Sequence, residues 1–189
     1  MMSSRWGYFA VCLIAVLSTG CAQYKAPPYA ANYESLDRLK ASKPSGVAVG
    51  TIQPTTADHH VNNLSLRGAR LVSASGTFSK YLEDALIGDF KEISAYDSSS
   101  KTRLDATILN NEVSIGGFVT GTGFIKINLV VARDGQQRLS KTYQSNTSFD
   151  SSFAGNVAIP AGQAAYTNLV RTLLSNVYSD PQFIAALGK

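Results

Sequence analysis

Two stretches of the chain set apolar side chains at helical spacing. In residues 75–93, Phe78, Leu82, Ala85, Leu86, Phe90 and Ile93 fall on one stripe, with Lys80, Glu83, Asp84 and Lys91 on the opposite face. Ser75 or Thr77 supplies an N-cap, so the spacing predicts an amphipathic helix. Residues 161–178 repeat the pattern with Tyr166, Leu169, Val170, Leu173, Leu174, Val177 and Tyr178. Pro160 fits near the start of this second helix and Asp180-Pro181 ends it, with Asp180 placed to cap a last short helix over 181–187.

Between the helices the period changes to two. Residues 103–115 alternate around Leu104, Ala106 and Ile108, residues 124–132 around Ile125, Ile127, Leu129 and Val131, and residues 138–149 alternate with Thr, Tyr and Ser. Asp134-Gly135 joins the last two as a tight hairpin, and the glycine-rich stretch 116–123 makes the other turn. Ahead of the first helix, 46–52 (GVAVGTI) reads as a buried strand and 53–72 as a long loop with some extended pieces. Strand, helix, strands, helix describes an α+β fold: a two-layer sandwich with a mostly antiparallel sheet of about four strands and two amphipathic helices on one face.

The N-terminus follows a different logic. Arg5, an apolar run from Tyr8 to Leu17 and then Ser18-Thr19-Gly20-Cys21 form a pattern too short to span a bilayer, which takes about 20 residues, and of the right length for a secretory signal. Small residues leading directly into Cys21 resemble a bacterial lipobox, with Ser18 in the slot where that motif favours Leu. The resemblance implies a signal peptide over 1–20, cleavage before Cys21, and acylation of its thiol and new amino group. Each buried CH₂ contributes ~0.8 kcal/mol, so three chains make a permanent anchor. Ala22 follows the Cys; in enterobacterial lipoproteins an Asp there favours inner-membrane retention, so this one is expected at the outer membrane, facing the periplasm. Residues 21–45, with Pro27-Pro28, Pro44 and no sustained apolar period, read as a lipidated Cys and flexible tether, extended near the prolines and briefly helical around 33–40, reaching about 25–30 Å as a coil, with 46–189 as the periplasmic domain.

Charge and cysteine content narrow the function classes. The formal charge is +4, but residues 46–189 carry 12 Lys and Arg against 11 Asp and Glu, so the domain offers no basic balance for nucleic acid. Cys12 leaves with the signal and Cys21 is consumed by lipid, which excludes disulfides and thiol chemistry from the mature domain.

Candidate chemistry is sparse. Asp58-His59-His60 has no further His and, once Cys12 is cleaved away and Cys21 acylated, no thiol to complete a zinc shell, so an exposed loop accounts for it. Thr77-Phe78-Ser79-Lys80 gives Thr-x-x-Lys without its partner motifs, and capping explains it. The 116–123 glycines lack the third glycine of a dinucleotide fingerprint and join two strands. Asp105 and Glu112 read as surface charge. No catalytic residue, cofactor site or metal site is expected. Lys126, Asn128, Lys141, Tyr143, Ser145 and Thr147 are expected on the solvent face of the sheet, where an open antiparallel sheet can recruit another chain. The alternative is a lipid or small-molecule groove between helices and sheet, lined by Phe78, Phe118 and Tyr166.

Arg133–Tyr143, Phe149–Phe153, the helix through Tyr166–Val177 and the ending Ser179-Asp180-Pro181-Gln182-Phe183-Ile184 together resemble the YajG family of bacterial outer-membrane lipoproteins. That resemblance implies a small periplasmic α+β domain tethered to the outer membrane, in a family without an assigned enzymatic activity. The expected role is a non-enzymatic interaction or accessory module of an envelope complex, partnered by an envelope protein or by itself.

Overall fold

Residues 23–44 and 46–188 are described by a computed structural model. In chain order the elements are β1 (Gln23–Lys25), α1 (Tyr33–Ala41), β2 (Ala48–Val49), β3 (Leu64–Leu66), β4 (Ala69–Val72), α2 (Phe78–Glu92), β5 (Thr102–Ser114), β6 (Thr120–Arg133), β7 (Gln136–Asp150), α3 (Gly155–Tyr178) and α4 (Pro181–Leu187). The fold is α+β, with a four-stranded sheet ordered β2-β5-β6-β7 and a small three-stranded sheet ordered β1-β4-β3.

The meander β5-β6-β7 is antiparallel and β2 adds to β5 in parallel. Ile125, Ile127, Leu129 and Val131 alternate to one face and are fully buried there beneath the helices. Asp134 (φ 50°) and Gly135 (φ 76°) turn β6 into β7, the positive φ pair that a two-residue hairpin of matching twist requires. A register shift between Ile108 and Asn110 reverses the parity of β5, so that Asn111 and Val113 point inward after Leu104, Ala106 and Ile108.

The helices bury the stripes their spacing announced. Thr77 caps α2 by accepting from the Lys80 amide at 3.0 Å, and Phe78, Leu82, Ala85, Leu86 and Phe90 are all buried. The loop 53–72 has the extended pieces its sequence suggests, and the first turns of α3 differ from expectation. Helix α3 begins at Gly155, upstream of Pro160, which lies inside it. The amide hydrogen bond Pro160 cannot make would go to the carbonyl of Asn156, an exposed residue in the first turn of the helix. The loop 53–72 contains a 3-10 turn (His60–Asn62) and the hairpin β3–β4, whose turn residues Arg67 and Gly68 also have positive φ. Buried Asn62 organises it: its amide donates to the carbonyls of Pro54 (2.8 Å) and Thr56 (3.0 Å), and its oxygen accepts from the amide of Ser79 at the start of α2 (2.9 Å).

Candidate functional site

The segment expected to be a flexible tether is built into the domain over its described length. Strand β1 pairs in parallel with β4, Gln23 opposite Arg70 and Lys25 opposite Val72. From there the chain runs alongside α3 in the same direction. The Lys25 carbonyl accepts from Gln163 (2.6 Å), the Pro27 carbonyl from Tyr81 (3.0 Å) and Thr167 (3.4 Å), and the Ala30 carbonyl from Arg171 (2.8 Å). Asn32 donates to Ser175 Oγ (3.2 Å) while capping α1 through the Ser35 amide, and Leu36 and Leu39 of α1 are buried. Prolines and small residues give no helical or strand period, yet their carbonyls are satisfied by side chains projecting from α3 at successive turns.

The strap is fixed at its far end by a buried carboxylate. Asp89 of α2 is 1% exposed, and one oxygen accepts from both Tyr29 of the strap (2.9 Å) and Tyr178 at the end of α3 (2.8 Å). Its other oxygen is buried and has no hydrogen-bond partner among the described residues. Desolvation pushes the carboxyl up to about 6, and the two tyrosine hydroxyls hold it from rising further. Burial and the neighbouring Asp89 charge raise the Tyr29 and Tyr178 hydroxyls in turn, so both remain donors. Asp89 lies on the apolar stripe of α2, four residues after Ala85 and three after Leu86, and a lone acid on such a stripe is the signal that would have found it. Beside the knot, a hollow of about 280 Å³ opens between strap and α2, lined by Ala26, Tyr29, Ser75, Tyr81, Ala85 and Gly88.

A second polar junction holds the edge of the sheet. Lys141 of β7 donates to Asp180 (2.8 Å) and Gln182 (2.9 Å), and the Tyr143 hydroxyl donates to the same Asp180 oxygen at 2.5 Å. Asp180 also caps α4 through the Gln182 amide (3.0 Å). Desolvation opposes ionisation of Asp180, but the bonds from Lys141 and Tyr143 outweigh it and hold the carboxyl below its ordinary value.

This junction corrects the expected solvent face. Lys141, Tyr143 and Ser145 stand opposite Leu129, Ile127 and Ile125, so they share the helix-covered face, and Tyr143 and Ser145 are buried; Thr147, two further along, follows the same parity. Lys126 and Asn128 do lie on the open face, with Thr142, Gln144 and Asn146. A strand without apolar contrast between its two faces gives no sequence signal for which one turns inward.

The other expected site residues are dispersed. Phe78 and Tyr166 pack as buried core with tilted rings, centroids 4.6 Å apart, while Phe118 is 75% exposed at the tip of the β5–β6 loop, so no groove joins the three. His59 and His60 are both exposed, rings 4.4 Å apart, and no group of three or more His, Cys, Asp or Glu is placed to hold a metal among the described residues. Lys80 pairs with Glu83 (2.5 Å) and Asp84 (2.8 Å) on the surface of α2. Asp105 pairs with Arg103 (2.9 Å), and Glu112 is exposed beyond the β5 bulge. Of the glycines at 116–123, Gly121 and Gly123 belong to β6; the Phe149 ring of β7 occupies the place a Cβ at Gly121 would need, and Thr147 leaves only a tight fit at Gly123. Cys21 and the segment 1–20 lie outside the described residues.

No family model and no curated protein sequence matches this chain. Solved structures do. Protein XCC0632 from Xanthomonas campestris, of the DUF330 family, superposes with a TM-score of 0.56 at 15% identity, covering 83% of this chain and 95% of that one. The two chains share a fold. An uncharacterised protein of known structure matches with a TM-score of 0.50 at 9% identity, over 82% of this chain and 97% of its own. A candidate lipoprotein from Caulobacter crescentus CB15 follows at 0.49 and 9% identity, over 83% and 98%. At such identities the likeness is one of architecture.

Proposed function

We propose that this chain is a lipoprotein acylated at Cys21 and held at the outer membrane, where its periplasmic domain is a non-enzymatic interaction module of an envelope complex. Membership of a family like YajG, resembled by the C-terminal half, belongs to the same reading. The observation that carries it is strand β7. It runs for 15 residues at the end of the sheet, and no strand among the described residues pairs with its outer edge. A long unpaired edge offers a row of backbone donors and acceptors to an extended segment of another chain. One carbonyl of β7, that of Gln144, is taken by Asn176 (3.2 Å), and Lys141 turns its charge inward to Asp180, so α3 and α4 steady the strand without closing its edge.

The two polar junctions support structure more than catalysis: each carboxylate is engaged by side chains that join secondary-structure elements. The test is in-cell photocrosslinking of the full-length protein from Gln144. A single envelope protein, or a second copy, captured by the wild-type anchor and lost with Cys21→Ser is the expected outcome. Turnover of an envelope substrate by the purified protein, abolished by Asp89→Asn, would overturn the non-enzymatic reading.

A further inference from the structure

One end of the domain presents apolar side chains to water on an ordered platform. Phe118 and Phe153 are each 75% exposed and stack with ring centroids 5.9 Å apart and planes 13° from parallel. Val119 (73% exposed) stands beside Phe118, and Val157 (53%) lies on the first turn of α3. The loops that carry them are tied together. The Ser151 amide donates to the Val119 carbonyl (2.9 Å). Arg67, at the β3–β4 turn, donates to the carbonyls of Ile115 (3.3 Å), Ser152 (2.7 Å) and Phe153, with its guanidinium 5.9 Å from the Phe153 ring. Exposed aromatics held in place by three converging loops mark a surface that meets something apolar.

The course of the strap says what that is. Its contacts step along α3 from Asn32 at Ser175, through Ala30 at Arg171 and Pro27 at Thr167, to Lys25 at Gln163. Tyr24 lines one hollow with Gly155, Asn156 and Ile159 at the start of α3, and Gln23 pairs with Arg70, three residues beyond Arg67 of the turn. Traced towards the N-terminus, the strap therefore arrives at the end of α3 that carries Phe153 and Val157. Cys21 precedes Gln23 by two residues, at most ~7 Å of extended chain. Acyl chains on Cys21 would enter the bilayer that close to Gln23. The headgroup region is itself about 5–8 Å deep on each side, so this end of the domain could not stand clear of it.

We infer that the Phe118–Phe153 platform docks into the surface of the bilayer that holds the anchor, with the exposed guanidinium of Arg70 and the charge of Arg67 towards lipid phosphates. The inference rests on acylation of Cys21. Asp150 is exposed at the end of β7, opposite Thr120, and limits the positive charge at this end, so apolar insertion carries the docking. The domain is then fixed in orientation, not swung on a tether, and the β7 edge keeps a constant angle to the membrane.

The chain's one Trp, Trp6, lies in the segment that signal cleavage removes, so Phe118→Trp gives the mature lipoprotein a single reporter. Tyr33→Trp is the control: Tyr33 is 68% exposed and adjoins Asn32 at Ser175, 18 helical residues or about 27 Å from Val157. The full-length lipoprotein is reconstituted in vesicles of phosphatidylethanolamine and phosphatidylglycerol with dibrominated acyl chains, and its mass is measured. Insertion to about 5–10 Å predicts a blue-shifted Phe118→Trp emission with roughly half or more of its intensity quenched, and an unquenched Tyr33→Trp. An acylated mass with Phe118→Trp unquenched overturns the docking but leaves the anchor standing, and points to a protein covering the platform. Equal quenching of both reporters also overturns it, since the domain would then have no preferred face. A mass without acyl groups overturns the anchor reading and the docking with it.

Discussion

The two ends of α3 are built on opposite principles. At its C-terminal end Leu173, Leu174, Val177 and Tyr178 are buried, Tyr178 reaches Asp89, and Phe183 of α4 closes the core behind it. At its N-terminal end the first turn lacks a side-chain cap, Pro160 interrupts the hydrogen-bond ladder, and Val157, four residues after Phe153 of the Phe118–Phe153 pair, faces solvent. One helix thus spends its apolar surface on stability at one end and leaves it available at the other. Substitutions at the two ends should separate stability from surface properties.

The largest effect is expected where the packing is complete. Leu173 is 0% exposed, and Leu173→Ala removes buried methyl groups and leaves a cavity, which should cost about 2–5 kcal/mol in urea unfolding. A cost below about 1 kcal/mol would mean that the C-terminal end is packed no better than the other.

Asp89 tests the same end through pH. An unfolded Asp titrates near 3.8 and the folded one near 6. Below 3.8 both states are protonated and the group contributes nothing. Between 3.8 and 6 the folded state binds the extra proton, so stability falls as pH rises, reaching a loss of about 3 kcal/mol above 6. Asp180 has the opposite sign: its folded value is depressed, so its contribution is present above 3.8 and is lost only on further acidification. Chemical denaturation between pH 4 and 7 therefore isolates Asp89. Asp89→Asn, which keeps an acceptor for Tyr29 and Tyr178, should flatten the profile; a wild-type profile already flat would refute the buried charge.

How much of this was legible in the sequence follows from where contrast exists. The stripes of α2 and α3 and the alternation of β6 set apolar against polar residues at a fixed period, and α2, α3 from residue 161 onward and the hairpin at Asp134-Gly135 lie where that period puts them. The strap has no such contrast. Its order comes from Gln163 and Arg171, 138 and 141 residues along the chain, meeting backbone carbonyls, and a side chain bonding to main chain leaves no pattern in either segment. For β7 the difference is one of parity: Lys141 and Tyr143 look like surface residues until Asp180, delivered by the start of α4, gives them a half-buried partner. Cys21 was legible as a motif alone, and the importance of Phe118 became visible only when folding brought Phe153 and the end of the strap to its side.

The smallest expected effect is at the N-terminal end. Phe118→Ser combined with Val157→Ser removes two side chains that are more than half exposed, neither on the buried face of an element. Such surface positions ordinarily change stability by about 0.5 kcal/mol or less, so the urea midpoint should hardly move even though the pair of substitutions removes more hydrocarbon than Leu173→Ala. Loss of the stack leaves Phe153 anchored by the bonds from Arg67 to its carbonyl and to Ser152, so the loop has a reason to stay in place. A destabilisation matching that of Leu173→Ala would show that the aromatic pair belongs to the core after all. Equal stability with a sharp change in membrane contact would show that α3 serves two purposes, one at each end.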